Sequence, residues 1–178
     1  MPHDGQDLHL TSSPLLADLL DLTGAALPAV DTVLALAKDI LRAKVSRDGR
    51  VSGALIDQHQ TAAHGLAWLA TYAQSLHQMQ DWALRLQADG KFGEVEQLIH
   101  QIAFGEYLWQ IYGGIPMSQG EIMRPQDIGL SQDDMRAMMV PAVATLCEQG
   151  NTQAARMRLV DLMQDQAANL TVGASGLD

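Results

Sequence analysis

The sequence predicts an all-α protein, namely an antiparallel helical bundle of four main helices plus short N-terminal helices. Hydrophobic residues make up 47 % of the 178 residues, which is enough apolar surface for one domain with a sizeable core. Much of this share is alanine and leucine, which form helices best. Aromatic residues, which favour strands, make up only 4 %. Apolar residues also recur in steps of three and four, the spacing of one helix face.

Glycine and proline residues separate the predicted helices, because they cost more inside a helix than other residues do. We expect residues 1–11 to be disordered, residues 12–170 to form the bundle domain and residues 171–178 to be a linker-like tail. Residues 115–130 are expected to form a loop. The predicted helices span about residues 14–22, 28–44, 53–88, 93–113, 131–149 and 151–170.

A few residues decide these boundaries. Gly24 is expected to end the first helix, and Asn151 to cap the last one. Gly65, inside the longest helix, predicts a bend or a close helix crossing, because glycine there costs about 1 kcal/mol relative to alanine. Ser131 is expected to be an N-cap. Pro141 is expected to kink the fifth helix or to split it, because it lacks a backbone N–H.

Two of the helices show clear apolar stripes. These stripes predict the faces that turn towards the core. The positions are Leu55, His59, Ala62, Leu66, Leu69, Ala73 and Leu76 on the longest helix, and Val95, Leu98, Ile99, Ile102 and Leu108 on the next.

His59 and Glu106 fall on apolar stripes, which is unusual because an unpaired ionisable group is costly to bury. A metal or proton-transfer site inside the bundle is one hypothesis. However, the sequence lacks the Glu-x-x-His pair of metal sites in bundles, and His59 and His64 are five residues apart, so they diverge on the helix. We therefore expect a hydrogen-bonded core pair or a contact with a partner chain, with no catalytic residue, cofactor site or metal site in the chain.

Charge and cysteine content exclude several classes of protein. The formal net charge of −10 disfavours binding to nucleic acid or to an anionic membrane surface. We find no apolar stretch of transmembrane length and no secretory signal, so we expect a cytoplasmic protein. Cys147 is the only cysteine, which excludes a disulfide framework or a thiolate metal cage, and we expect it to be a small buried hydrophobe.

Three segments carry a resemblance to a known family: residues 63–72 (AHGLAWLATY), 101–107 (QIAFGEY) and 110–119 (QIYGGIPMSQ). They resemble the N-terminal extension of the methylsuccinyl-CoA dehydrogenases within the acyl-CoA dehydrogenase family. The resemblance covers about residues 25–170.

The resemblance implies a parent flavoprotein that uses FAD to oxidise an acyl-CoA to an enoyl-CoA in the ethylmalonyl-CoA pathway. The electrons would pass to an electron-transfer flavoprotein. FAD and the catalytic glutamate would belong to a dehydrogenase core outside these residues. The chain would then be a non-catalytic docking or assembly module, inactive alone. Its partners would be that core, in the same polypeptide or subunit, and further copies in a homo-oligomer.

A second likeness concerns residues 110–114 (QIYGG). They are similar to the Gln-Ile-x-Gly-Gly turn in the C-terminal helical domain of acyl-CoA dehydrogenases, where the glycines let the backbone approach the FAD of a neighbouring subunit. Residues 115–117 (IPM) replace the glycine and aromatic residue of the family, which argues against flavin contact by Gly113 and Gly114. The likeness implies a degenerate copy of that domain that packs against the core, with Glu121 and Arg124 facing the partner.

The alternative is a free-standing helical bundle that binds another protein or a small ligand. Its support is the placement of His59 and Glu106 on apolar stripes. In this interpretation the two side chains line a functional pocket.

Overall fold

The computed structural model describes residues 14–166 and confirms the prediction of an all-α helical bundle. Within this range there are eight helices and two short antiparallel strand pairs. The expectations for residues 1–11 and 171–178 lie outside the described residues. The elements are α1 (Leu19–Val45), β1 (Ser46–Arg47), β2 (Arg50–Val51), α2 (Gly53–Gln58), α3 (Gln60–Ala88), α4 (Glu94–Gly113), β3 (Ile115–Pro116), β4 (Ile122–Met123), α5 (Pro125–Ile128), α6 (Gln132–Met138), α7 (Pro141–Gln149) and α8 (Gln153–Gln166).

The long helices pack in antiparallel order. Residues near the start of one helix contact residues near the end of the next. Farther along each pair, the residue numbers rise on one helix and fall on the other. These contacts are Thr23–Gln80 and Asp31–His77 between α1 and α3, Tyr72–Gln110 and Trp82–Phe92 between α3 and α4, and Gln101–Gly150 and Trp109–Cys147 at the packing of α4 on α7.

Helix α1 is one continuous helix, so the prediction of two short leading helices is wrong. Gly24 and Pro28 both lie inside it. Proline removes one backbone hydrogen bond, but the buried face runs unbroken past both residues. The burial of that face against the rest of the bundle outweighs the local cost, because tertiary packing supplies most helical stability in proteins. The buried residues of α1 are Leu19, Thr23, Ala26, Leu27, Val30, Val33, Ala37, Leu41 and Val45.

Helix α1 is also long and apolar enough to cross a membrane by length and composition, and it is the one such helix in the part of the chain that the structure describes. The expectation that no stretch reaches this length is therefore wrong, because Gly24 and Pro28 do not interrupt the helix. In the bundle, α1 packs against α3, α6 and α7, which accounts for its apolar residues as a core-facing stripe.

A tight hairpin follows α1. Ser46 pairs with Val51 across the two strands. Asp48 and Gly49 form the loop, with φ angles of 53° and 74°. Positive φ at both central residues is the pattern of the two-residue turn that matches the twist of a hairpin.

The segment 115–130, predicted as a loop, contains the β3–β4 hairpin and the short helix α5. Met123 and Ile128 of this segment are buried against α3 beneath Gly65, where an added Cβ would lie 2.6 Å from Met123 Cγ and 3.3 Å from Ile128 Cγ1. The close approach that Gly65 predicts is thus confirmed. The sequence predicts a loop here because glycine and proline are typical of loops. Met123 and Ile128 nevertheless belong to the hydrophobic core.

The boundaries of α6 and α7 match the prediction. The backbone N–H of Asp134 donates to Ser131 Oγ (3.1 Å) and that of Ser131 donates to Asp134 Oδ2 (2.7 Å), which is a reciprocal capping box. Pro141 splits the predicted helix and occupies the first turn of α7, where its missing N–H costs nothing. Gly150 ends α7.

The cap of α8 differs from the prediction. Thr152, not Asn151, caps the helix, because its Oγ1 accepts a hydrogen bond from the backbone N–H of Ala155 (3.1 Å). The Asn151 side chain instead donates to Glu106 on α4. The sequence shows two adjacent residues of good capping type, and the competing tertiary bond decides between them.

Gly105 offers a test of how tightly α4 packs on the turn after α7. A Cβ at this position would lie 2.7 Å from the backbone N of Asn151 and 2.9 Å from Leu146 O. Because backbone atoms cannot move aside cheaply, we expect Gly105→Ala to lower the free energy of unfolding by about 1–3 kcal/mol, measured by urea denaturation. Gly53→Ala is the matched control, since no atom lies within 4 Å of its added Cβ. Equal stability of the two variants would contradict this packing.

Candidate interaction surface

His59 and Glu106, the two polar residues predicted on apolar stripes, lie in different surroundings. His59 is half-buried at the break between α2 and α3, with φ −115° and ψ 27°. The single predicted helix over residues 53–88 is therefore interrupted there. The His59 side chain forms no hydrogen bond or ion pair with the residues that the structure describes.

Glu106 is half-buried on α4, and both of its carboxylate oxygens have partners other than His59. Gln110 Nε2 donates to Oε1 (2.5 Å), and Asn151 Nδ2 donates to Oε2 (2.6 Å). The network continues to α3, because the Tyr72 hydroxyl donates to Gln110 Oε1 (2.6 Å). Burial raises the pKa of Tyr72, and the nearby Tyr107 and Glu106 raise it further. Glu106 thus ties α3, α4 and the start of α8 together.

Gly113 and Gly114, predicted for their likeness to a flavin-contacting turn, end α4 at the base of the β3–β4 hairpin. Gly114 has φ 145°, and a Cβ there would lie 2.6 Å from Ile122 Cγ2. Arg124 Nη1 donates to the Gly113 carbonyl (2.9 Å). The space beside Gly114 is therefore taken by the chain's own hairpin, whereas a Cβ at Gly113 would meet no atom within 4 Å. Glu121 and Arg124, predicted to face a partner, are both exposed.

The exposed side of α3 has an unusual composition. From Gln60 to Gln80 the helix contains no Asp, Glu, Lys or Arg, although such residues make up 18 % of the chain. Exposed helix faces normally carry charge, whereas the centres of protein interfaces are depleted of it. We call this side of α3 the uncharged face. Its exposed residues are Gln60, Thr61, His64, Ala67, Thr71, Gln74 and Gln78.

An aromatic ladder runs beside the uncharged face and crosses to α4. Trp68 Nε1 donates to His64 Nε2 (3.0 Å). Ring centroids are 6.3 Å apart for His64–Trp68, 6.4 Å for Trp68–Tyr72 and 4.5 Å for the stacked Tyr72–Tyr107 pair. Trp and Tyr are the residues that most often anchor protein interfaces. The rings of Trp68, Tyr72 and Tyr107 are half-buried, and that of His64 is exposed.

A groove of about 830 Å³ opens between α3 and α4 next to the ladder. Every side chain that lines it is uncharged. Ile99, one turn before Ala103 on α4, is 39 % exposed although its spacing predicts burial. The lining residues are Ala70, Thr71, Gln74, Ser75, Leu76, Gln78, Met79, Ala103 and Tyr107.

The structure contains a buried polar cluster that the sequence analysis does not predict. The Thr23 hydroxyl donates to Gln80 Oε1 (2.6 Å), and Gln80 Nε2 donates to Leu20 O (3.0 Å). His100 Nε2 lies 3.1 Å from Thr23 Oγ1 and joins the imidazole to this cluster, whereas Nδ1 has no hydrogen-bond partner among the described residues. Burial lowers the pKa of His100 to about 4. In the sequence only Gln80 signals this cluster, because it continues the apolar stripe of the longest helix one step after Leu76. Thr23 lies between two predicted helices, and His100 lies off the predicted stripe of its own helix.

No protein-family model matches the chain. A comparison with characterised proteins is more informative: over 169 residues, which are 95 % of the chain, 53 % of the positions are identical in one relative. That relative is the (2S)-methylsuccinyl-CoA dehydrogenase of Cereibacter sphaeroides. The predicted resemblance is confirmed. The chain spans only 30 % of the length of this dehydrogenase.

The Glu106 network predicts unequal effects of two substitutions. Glu106→Ala leaves the amides of Gln110 and Asn151 without their acceptor, so we expect the free energy of unfolding to fall by about 1–3 kcal/mol. His59→Ala removes no hydrogen bond in the described range, and we expect a change within about 0.5 kcal/mol. Urea denaturation of both variants measures this. A large loss for His59→Ala with none for Glu106→Ala would show that the network does not stabilise the bundle.

His100 predicts a loss of stability in mild acid. The folded protein holds the pKa of His100 at about 4, below the ordinary value of 6.5, so the unfolded chain binds the proton first as the pH falls. Stability is therefore full above about pH 6.5 and decreases towards pH 4, by on the order of 3 kcal/mol. We expect the difference in stability between wild type and His100→Gln to narrow over this range. An unchanged difference would contradict a neutral buried His100, since carboxylate titration is common to both proteins.

Proposed function

We propose that the chain is a non-catalytic docking or assembly module of an FAD-dependent acyl-CoA dehydrogenase of the methylsuccinyl-CoA dehydrogenase type. The identity of 53 % carries this proposal, because it extends over almost the whole chain yet occupies 30 % of the relative. FAD, the catalytic groups and the oxidation of acyl-CoA to enoyl-CoA would belong to the dehydrogenase core in the remainder of a longer polypeptide.

Three side chains are of types that often act in catalysis, but their surroundings support a structural role. Glu106 has both oxygens occupied by amides. His100 is buried in the polar cluster and is neutral near pH 7. Burial raises the pKa of the Cys147 thiol to about 11, so the nucleophilic thiolate is scarce. Each of these groups stabilises the bundle or fills its core.

The proposal also defines the partners. The first is the dehydrogenase core of the same polypeptide or subunit, and further copies would join in a homo-oligomer. The net charge of −10 opposes contact with nucleic acid or an anionic membrane surface. We propose a cytoplasmic location with the parent dehydrogenase.

The alternative function is a free-standing bundle that binds a small ligand. The observation in its favour is the groove of about 830 Å³ between α3 and α4, a volume in the range of small-molecule sites. However, none of its lining side chains is charged, so only hydroxyl and amide groups could fix the orientation of a small ligand there.

Removal of the matching segment from the Cereibacter sphaeroides enzyme tests the docking proposal. We expect the truncated enzyme to change its oligomeric state or to lose heat stability, because a docked module buries surface on the core. Light scattering after size exclusion, thermal unfolding and acyl-CoA-dependent dye reduction are the measurements. The isolated chain serves as the control and is expected to bind no FAD and reduce no dye. A truncated enzyme with full activity, an unchanged oligomeric state and unchanged heat stability would overturn the proposal.

A further inference from the structure

We infer that the groove between α3 and α4, together with the uncharged face, is the surface on which a helix of the dehydrogenase core docks. This inference rests on the proposed function and adds the location of the contact and the kind of element that fills it. Four observations support it: the charge distribution, the shape of the groove, the aromatic ladder and the size of the relative.

The charge distribution distinguishes this surface from other exposed helix faces of the described range. A partner that covers a charged side chain must remove its hydration, which costs free energy unless a new partner replaces the water. The uncharged face avoids this cost. By contrast, α8 exposes Met157 (58 %) and Met163 (48 %) but intersperses them with the exposed charged residues Arg156, Asp161 and Asp165.

The shape of the groove suits a helix. Antiparallel α3 and α4 form its two walls, and two neighbouring helices present ridges and a groove into which a third helix packs. The uncharged part of α3, from Gln60 to Gln80, is about 30 Å long at 1.5 Å per residue. The partially exposed apolar side chains Met79 and Ile99 lie on the two helices that border it. A mainly apolar partner helix of several turns therefore fits the surface.

The aromatic ladder supplies rigid anchors. The ring of Tyr72 is stacked on Tyr107, and its hydroxyl is held by Gln110, which Glu106 holds in turn. Side chains that are already fixed lose little conformational entropy on binding, so they contribute more to affinity.

The occupant is the dehydrogenase core rather than a second copy of the chain. The matched segment makes up 30 % of the relative, so most of that protein lies outside the match. In such a polypeptide the core is tethered to the module, which gives it a high effective concentration at the module's surface. Two copies of this chain each carry a net charge of −10 and repel each other at long range.

Cysteine labelling tests the contact. The Cereibacter sphaeroides enzyme with this chain in place of its matching segment is compared with the isolated chain, each carrying Gln74→Cys in the groove or Met157→Cys on α8. Both positions are exposed, so neither substitution disturbs the core, and native Cys147 is buried. We expect maleimide labelling at Gln74→Cys to slow at least tenfold in the joined polypeptide, whereas Met157→Cys labels at an unchanged rate, as resolved by peptide mass spectrometry.

Other outcomes separate this inference from the proposed function. Protection of Met157→Cys without protection of Gln74→Cys would overturn the groove as the docking surface and leave the docking module intact. Protection of Gln74→Cys in the isolated chain that grows with concentration would identify a second copy as the occupant. Equal labelling at both positions in both proteins would overturn the inference, and the truncation experiment would then decide the proposed function by itself.

Discussion

The hydrogen bonds among His100, Thr23 and Gln80 fix the three long helices of the bundle in one register. Apolar burial is non-directional, so α1, α3 and α4 could slide along each other at little cost if only their stripes held them. The buried hydroxyl, the amide and the imidazole Nε2 are paired in the observed register, and a slip along the helix axes would leave these groups without their partners. The positions of the groove and of the aromatic ladder depend on this register, because residues from both α3 and α4 form them.

Glu106 extends the same principle to the surface. It binds the amides of Gln110 and Asn151 and thereby joins the inner helices to the start of α8. Farther along α8, Arg158 donates to both carboxylate oxygens of Glu94, at the start of α4, at 2.7 Å, and these hydrogen bonds lower the pKa of Glu94. The last described helix is thus held at two points along α4, and the groove side of α4 stays free of α8.

The sequence predicts the parts of the fold that local rules decide. The capping box at Ser131 and the split at Pro141 need only neighbouring residues, and both are confirmed. Gly24 and Pro28 mislead for the opposite reason: their local cost is real, but a continuous buried face outweighs it. The Glu106 network and the His100 cluster join residues that are far apart in sequence, so the pairing of these groups follows from packing. The sequence marks only Glu106 and Gln80, as polar side chains on apolar stripes.

The segments that carry the resemblance meet in the folded chain. Residues 63–72 contribute most of the aromatic ladder and, with Ala70 and Thr71, part of one wall of the groove. Residues 101–107 contribute the facing wall with Ala103 and Tyr107. Neither segment needs its uncharged exposed residues or its half-buried rings for helix formation, since alanine, glutamate and lysine form helices at least as well. A docking surface accounts for this composition, because a partner helix can cover uncharged side chains and fixed rings without the cost of burying a charge.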